Sequence, residues 1–548
     1  MGVDATLAIP PELPMPLPPP PPPAILLLAG ADLWTSQGFR QGQAVVIEKG
    51  QIRAVGPVES LARTHPRAQR VDLPGGSLLP GFIEGHAHVA SLGARSGQVD
   101  LAGLESLPEV LGQIRGWSEA HPEGWLRGRG WDQNLWPAKT FPRALDLDAL
   151  TGTRPALLKR VDGHAAWVNT AALAIAGIGP QTPDPEGGRI LKDAHGRPTG
   201  ILLDAAMDLV TSHLPPDTDA ELESRIEAGL RSLRAEGFTT VADMGVDGRA
   251  LAAYRRLASA GTLPIRVFAY LAHDHDLMLK ELKRARPKRL SFLQVQGVKF
   301  FLDGALGSRG ARLLAPYSDE PGTLGLWVAD PARIALDAAI TLRSGYQPAI
   351  HAIGDAANHA ALDLLAEAMK KGKSALPPRI EHAQIVTAED AARFGKQGVV
   401  ASVQPIHCTS DHSWTPERLG PARLDEAFPW RRFVNGGAVL AFGSDAPVED
   451  ANPFLGLAAA ETRQDAQGDP PGGFLPDQRL SRTEAIRAYT SGNATALGRS
   501  RELGVIQKGA VADLLWVQVP LADISPEALR KVRPGRLWVN GVEASLAH

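Results

Sequence analysis

The sequence predicts an α/β fold: a (β/α)8 TIM-like barrel, a small composite β-sandwich built from both chain ends, and a subdomain inserted after the first barrel strand. Three observations lead there. Short apolar, β-branched runs alternate with Ala/Leu/Arg-rich stretches of helical period. Five of the eight runs end in side chains able to bind a metal: His86 with His88, then Lys299, His351, His382 and Asp445. Those ends fall on strands one, four, five, six and eight, at the C-terminal rim where such barrels place their chemistry.

Taken in order, residues 1–23 form a Pro-rich segment that ends in the unbroken run Pro18 to Pro23. Such a run favours an extended polyproline II form and cannot pack as helix or sheet. It is read as a disordered arm, with a ligand for a proline-binding module as the sharper alternative. Residues 24–80 hold strand candidates at Ala24-Ile-Leu-Leu-Leu-Ala, Ala44-Val-Val-Ile-Glu, Gln51-Ile-Arg-Ala-Val and Gly76-Ser-Leu-Leu-Pro, with a tight turn at Lys49-Gly50. Residues 503–548 repeat that texture at Ala512-Asp-Leu-Leu-Trp-Val and Arg536-Leu-Trp-Val. Neither end has enough strands to be stable alone, so the two should pair into one sandwich.

The barrel is expected over 81–89 and 217–502. Its first strand ends in His86-Ala87-His88, and residues two apart on a strand point the same way. Far more chain separates this strand from the next than a plain βα connection uses, so 90–216 is read as an insert. The insert carries Trp125, Trp131, Trp136 and Trp167, and a hairpin around Ala194-His-Gly-Arg197. Insertions on a catalytic face form lids or substrate walls. Strands two to eight follow at Phe238, Ile265, Val295, Gln347, Arg379, Val399 and Val439.

Composition narrows the class. The chain has 548 residues, a formal net charge of -3 and one cysteine, Cys408. It can bury a large core over more than one domain. No basic field suggests nucleic acid. A lone cysteine excludes an internal disulfide framework and a Cys-rich zinc site, and fits a reducing, cytoplasmic setting. No apolar run approaches the roughly 20 residues of a membrane helix. Small-molecule chemistry is therefore expected, with no nucleic-acid or membrane partner and a homodimer as the expected assembly.

The motifs carry a resemblance. They are Pro80-Gly-Phe-Ile-Glu-Gly-His-Ala-His88, Gly130-Trp-Asp-Gln-Asn-Leu-Trp-Pro137, Val161-Asp-Gly-His-Ala-Ala-Trp-Val-Asn169, Lys299-Phe-Phe-Leu-Asp-Gly-Ala-Leu-Gly-Ser-Arg309, His351-Ala-Ile-Gly-Asp355, Ile380-Glu-His-Ala383, Ser402-Val-Gln-Pro-Ile-His407 and Gly443-Ser-Asp-Ala-Pro-Val448. With them the chain resembles the metal-dependent amidohydrolase superfamily, in particular amidohydrolase family 3, the YtcJ-like branch that includes N-substituted formamide deformylases. One departure is Glu84, where the superfamily usually carries Asp; this could alter hydrogen bonding around the paired histidines.

His86, His88 and Asp445 are read as ligands of the more buried metal. The resemblance implies a carboxylated Lys299 bridging two divalent metals, with His351 and His382 on the second. Zinc is expected; Mn, Fe or Co would also suit the ligands. In that reading a bridging hydroxide attacks a carbonyl, and Asp445 moves the proton to the leaving nitrogen. His164 and His407 are candidate oxyanion donors or structural histidines. Trp131, Asp132, Asp162, His164, Asn169 and Gln404 are expected around the substrate. Asp303 and Arg309 either shape the pocket or pair with each other. The function implied is hydrolysis of amide C–N bonds in N-substituted or N-acyl amines. The alternatives are a heterocycle deaminase, which needs no lysine bridge, and a lactonase or phosphotriesterase. A catalytically dead scaffold would be expected to have lost ligands, and none is missing.

Overall fold

Eight apolar runs pair edge to edge and give the molecule its centre. We label them β1 (Phe82–Ala87), β2 (Phe238–Val246), β3 (Arg266–Leu271), β4 (Leu293–Phe301), β5 (Gln347–Ala352), β6 (Arg379–His382), β7 (Val400–Val403) and β8 (Leu440–Phe442). Each lies parallel to its sequence neighbour, in the unbroken order β1 to β8. The structure is a computed structural model that describes residues 25–547 except 285, 287, 288 and 373. The Pro-rich arm expected over 1–23 lies outside the described residues.

The seam between β8 and β1 is closed just past the strand ends. Ala87 bridges Ala446 in parallel, Asp445 N donates to His86 O (2.7 Å), and His88 N donates to Ala446 O (2.8 Å). A side chain completes the seam. The buried Glu84 carboxylate accepts from His86 N, Ser444 N and Ser444 Oγ, each at 2.9 Å. The residue that departs from the resembled pattern thus stitches the first strand to the last.

Helices between the strands carry the expected signals. Asp219–Ala235 opens on a Thr218/Glu221 capping box and buries Ile226, Leu230 and Leu233 on one face. Pro331–Arg343 starts on Asp330 with Pro331 in its first turn, and Ala388–Gln397 ends at Gly398 in the left-handed region.

Both chain ends meet in a two-sheet sandwich. One sheet holds Ile25–Ala29, Gln43–Glu48, Gln51–Pro57 and Gln69–Asp72; the other joins Asp32–Thr35, Gly38–Arg40 and Ser77–Pro80 to Leu514–Val517, Arg536–Val539 and Val542–Ala544. Leu28, Val45, Ile47, Leu33, Leu514 and Trp538 pack between them. The Lys49-Gly50 turn has positive φ at both residues (50° and 77°), as a tight hairpin requires. Between β1 and β2 the chain forms a six-stranded sheet from Val99–Asp100 to Pro198–Asp204, including the hairpin that turns at Gly196. Among the described residues, no helix is long and apolar enough to cross a membrane.

Candidate metal centre

The barrel mouth gathers imidazoles from four strands and a carboxylate from β8. His86, His88 and Asp445 form one group able to hold an ion, and His382, His407 and Asp445 form a second. Asp445 Oδ1 lies 3.4 Å from His86 Nε2 and 3.2 Å from His88 Nε2. Its Oδ2 lies 4.0 Å from His382 Nδ1 and 3.9 Å from His407 Nε2. Asp445 (φ 58°) and His382 (φ 72°) both sit in the left-handed region, a cost that the closely packed rim sustains.

Acceptors behind the rings set the tautomers. His86 Nδ1 meets the Glu381 carboxylate at 2.7 Å, His88 Nδ1 meets the Met244 carbonyl at 2.9 Å, and His382 Nδ1 meets Gln404 Oε1 at 2.9 Å. Each acceptor requires Nδ1–H, which leaves Nε2 as a lone pair. Glu381 is held in turn by Arg379, whose guanidinium also donates to Gly85 O (2.7 Å), Ser402 Oγ (2.7 Å) and Tyr270 Oη (3.2 Å). His86, Glu381 and Arg379 are all fully buried.

Electrostatics favour ligation. Burial, with the Lys299 charge, pushes the His86 imidazole down to about 4. Burial likewise holds His351 and His382 well below the ordinary imidazole range and lowers His407. Against its own burial, Asp445 stays ionised well below the usual carboxylate range because His86 and His88 face it. Several buried atoms at this mouth lack a hydrogen-bond partner: Asp445 Oδ1, His407 Nε2, His351 Nδ1 and Gln404 Nε2. Neutral imidazoles, an ionised carboxylate and orphaned buried atoms together fit a divalent cation.

Lys299 sits inside β4 with no exposure. Its Nζ is 3.5 Å from His86 Nε2 and 4.8 Å from the centre of the Phe301 ring, and burial pushes it down to about 8. No carboxylate stands within ion-pair distance of it among the described residues. His351 packs against His382 (ring centres 4.5 Å apart), with Nε2 3.5 Å from both Asp303 Oδ1 and Gly304 O.

A cavity of about 740 Å³ opens from this centre, walled by the barrel mouth, the insert and the loops after β7 and β8. Of the residues expected around substrate, Asp132, Asp162, His164 and His407 line it. Arg160, itself 1% exposed, grips Asp132 and Asp162 together. His164 Nδ1 meets Asp204 Oδ1 at 2.7 Å; burial alone would lower this imidazole, and Asp204 outweighs that and raises it.

The other expected wall residues sit elsewhere. Trp131 is in the insert's core, its Nε1 donating to Leu158 O (2.8 Å). The strand Leu126–Trp131 breaks register at Gly130 (φ 101°), which turns Trp131 from the face of Arg129 to the packed face. Asn169 caps the helix Thr170–Ile175 and binds Arg154 O and Ala156 N. Asp303 accepts from the backbone N–H groups of Arg312, Ile353 and Gly354 and so fixes the loops after β4 and β5. Arg309 pairs with Asp319 and Glu320 rather than with Asp303. Gln404 acts from behind His382.

Glu381, Arg379, Arg160 and Asp204 were not singled out by sequence. The available signal was charge on apolar strands: Arg379 and Glu381 are two apart on β6, and Arg160 ends a strand just before the Asp162-Gly163-His164 turn.

A parallel barrel whose first strand leads into His-x-His and whose last leads into an aspartate defines a metal-dependent hydrolase of the amidohydrolase superfamily. The amidohydrolase family model (family 3) matches residues 69–544, and the chain belongs to that family. It is 32% identical over 507 residues to the putative amidohydrolase YtcJ of Bacillus subtilis (strain 168), covering 91% of this chain and 95% of that one. It is 28% identical over 520 residues to N-substituted formamide deformylase of Arthrobacter pascens, covering 91% and 94%. Among solved structures, an uncharacterized metal-dependent hydrolase from Pyrococcus horikoshii OT3 superposes with a TM-score of 0.74 at 27% identity, covering 92% of this chain and 99% of that one.

Proposed function

We propose that the protein hydrolyses the amide C–N bond of N-substituted or N-acyl amines at a pair of divalent metals. The observation that carries this reading is Asp445, whose two oxygens face different histidine pairs. The deformylase relative supports the bond type. Bound divalent ions, with zinc suited to this His/carboxylate set, would polarise a carbonyl and acidify water to near-neutral pH.

His86, His88 and Asp445 would hold one ion; His382 and Asp445 would hold the other, with His351 or His407. Lys299 completes the set as a carbamate. Its ammonium gives up one proton, and the free amine forms an N–C bond to CO2 and loses a second, which turns a buried cation without a carboxylate partner into an anionic ligand. Asp445 would take the proton of the attacking water and deliver it to the leaving nitrogen. His164 and His407 line the cavity beside it and are the candidate donors to the oxyanion.

The test is product release by metal-loaded enzyme in bicarbonate buffer, over N-formyl and N-acyl amines, cyclic imides and amino-heterocycles. Release of an organic amine without ammonia is expected. Ammonia as sole nitrogen product, from protein with one metal and an unmodified Lys299 by mass spectrometry, would replace this reading with a mononuclear deaminase.

A further inference from the structure

A second cavity, of about 270 Å³, lies where the insert meets the barrel. Its floor is the insert sheet, on the face that carries Arg127, Arg129 and Lys159. Its walls include Ser91 of the helix Val89–Gly93, which begins one residue after His88, and Arg225 of the helix Asp219–Ala235. The site is distinct from the catalytic cavity, and no residue lines both.

The charges here are uncompensated. Parallel pairing of Leu126–Trp131 with Ala156–Arg160 sets Arg129 directly opposite Lys159 and Arg127 opposite Leu157. Like charges in that position repel and cost stability. Yet the side chains of Arg127 and Lys159 form no hydrogen bond or ion pair with any described residue, and the side-chain hydrogen bond of Arg129 goes to the Val161 carbonyl at 3.1 Å. Among the described residues, Asp217 is the only carboxylate lining the cavity, and Arg225 holds it. More distant acids face the group too: Glu221 acts on Arg127, Asp208 on Lys159, and Asp100, Asp162 and Asp445 on Arg129. At Arg129 they do not offset the loss of solvent, since burial, with Arg95, pushes its guanidinium down to about 10, while Lys159 opposite it keeps an exposed side chain at the cavity. The chain as a whole is acidic, at -3, so this concentration of cations is local.

Guanidinium groups favour planar, bidentate oxygen ligands, and the ammonium adds a point charge. We propose that the junction cavity binds a small doubly charged oxyanion, of the phosphate or dicarboxylate type, between Arg127, Arg129 and Lys159. The bound oxygens would replace the missing counter-charge across the Arg129–Lys159 pair and contact the helix that follows His88.

The experiment is a thermal-unfolding titration of metal-loaded enzyme with inorganic phosphate and, separately, succinate, against chloride at matched ionic strength. Wild type is expected to show a saturable rise in midpoint with at least one of them, and the double variant R127Q/K159Q at least a tenfold weaker response. Phosphate alone would assign a phosphoryl ligand and succinate alone a dicarboxylate. Anion bound at the metal centre responds equally in both proteins and drops out of the difference. No response to either anion in wild type, or equal responses in the two proteins, would overturn the proposal. In chloride alone, R127Q/K159Q should unfold at or above the wild-type midpoint, because repulsion is relieved. A fall of several degrees there would assign the cations to folding instead.

Discussion

Glu381→Gln tests whether the buried Arg379–Glu381–His86 chain positions the metal centre. The substitution keeps shape and one acceptor oxygen and removes the charge. Arg379 is then left with Gly85 O, Ser402 Oγ and Tyr270 Oη, all neutral, inside a fully buried site. Removing one member of a buried ion pair costs about 3–5 kcal/mol. His86 also loses the carboxylate that fixes its Nδ1–H. Losing such a partner weakens metal binding by about 10–100-fold, or about 1.4–2.8 kcal/mol. The retained Gln oxygen can still accept from Nδ1, which places the expected loss near tenfold. Chelator competition measures the affinity, and unfolding of the metal-stripped protein measures the stability separately. Ser402→Ala is the control: it removes a neutral partner of Arg379 and leaves the His86–Glu381 bond intact. It should lower stability by about 1–3 kcal/mol and spare metal affinity. E381Q with wild-type affinity, or S402A with an equal loss, would refute the positioning role.

Gly229→Ala should cost about 1–3 kcal/mol by overpacking, because its Cβ would stand 2.2 Å from Val89 O; chemical denaturation checks this, and weaker metal binding should accompany the shift of the helix after His88. Glu484 is held down at about 2 from 4.5 by its Arg431 pair. Its contribution is therefore present above pH 4.5 and lost as pH falls toward 2. Glu484→Gln should lower the urea midpoint at neutral pH, flatten the profile between pH 4.5 and 2, and leave the acid end nearly unchanged. Stripping the metals should lower the unfolding midpoint reversibly, since a ligand at 1,000 times its Kd contributes about 4.1 kcal/mol. Calorimetry before and after zinc is restored tests this.

The barrel was legible because its strands are apolar, short and separated by helices with clear caps. Observed β4, Leu293–Phe301, begins two residues before the expected run at Val295, and Lys299 stays within it. The sandwich was legible because neither end carries enough strands to be stable alone; the N-terminal strands form one sheet and share the other with the C-terminal strands. The rim of histidines and Asp445 that could hold a metal was legible through side-chain chemistry at strand ends. What sequence did not carry was the direction of a side chain after an irregularity. Trp131 shares a motif with Asp132, yet the bulge at Gly130 buries the first while the second lines the cavity. Nor could period-two alternation say that Arg379 and Glu381 meet His86, because that contact spans the barrel interior between strands far apart in sequence. Sequence put His351 beside His382 on the second ion and His407 among the oxyanion donors; the structure also brings His407 to His382 and Asp445, because the helix after β7 begins at Pro405 and carries His407 to the rim.

The seam held by Glu84 sets the timing of assembly. Its carboxylate reaches Ser444 across 360 residues of chain, and the same seam brings His88 against Asp445. A ribosome delivers the two histidines long before it delivers the aspartate. An ion met early would find two imidazoles and an open coordination sphere, and Asp445 would join them only when β8 docks. If His86, His88 and Asp445 hold an ion, its retention would report on completed folding. A chain truncated before β8, or one whose last strand fails to seat, would then let that ion go.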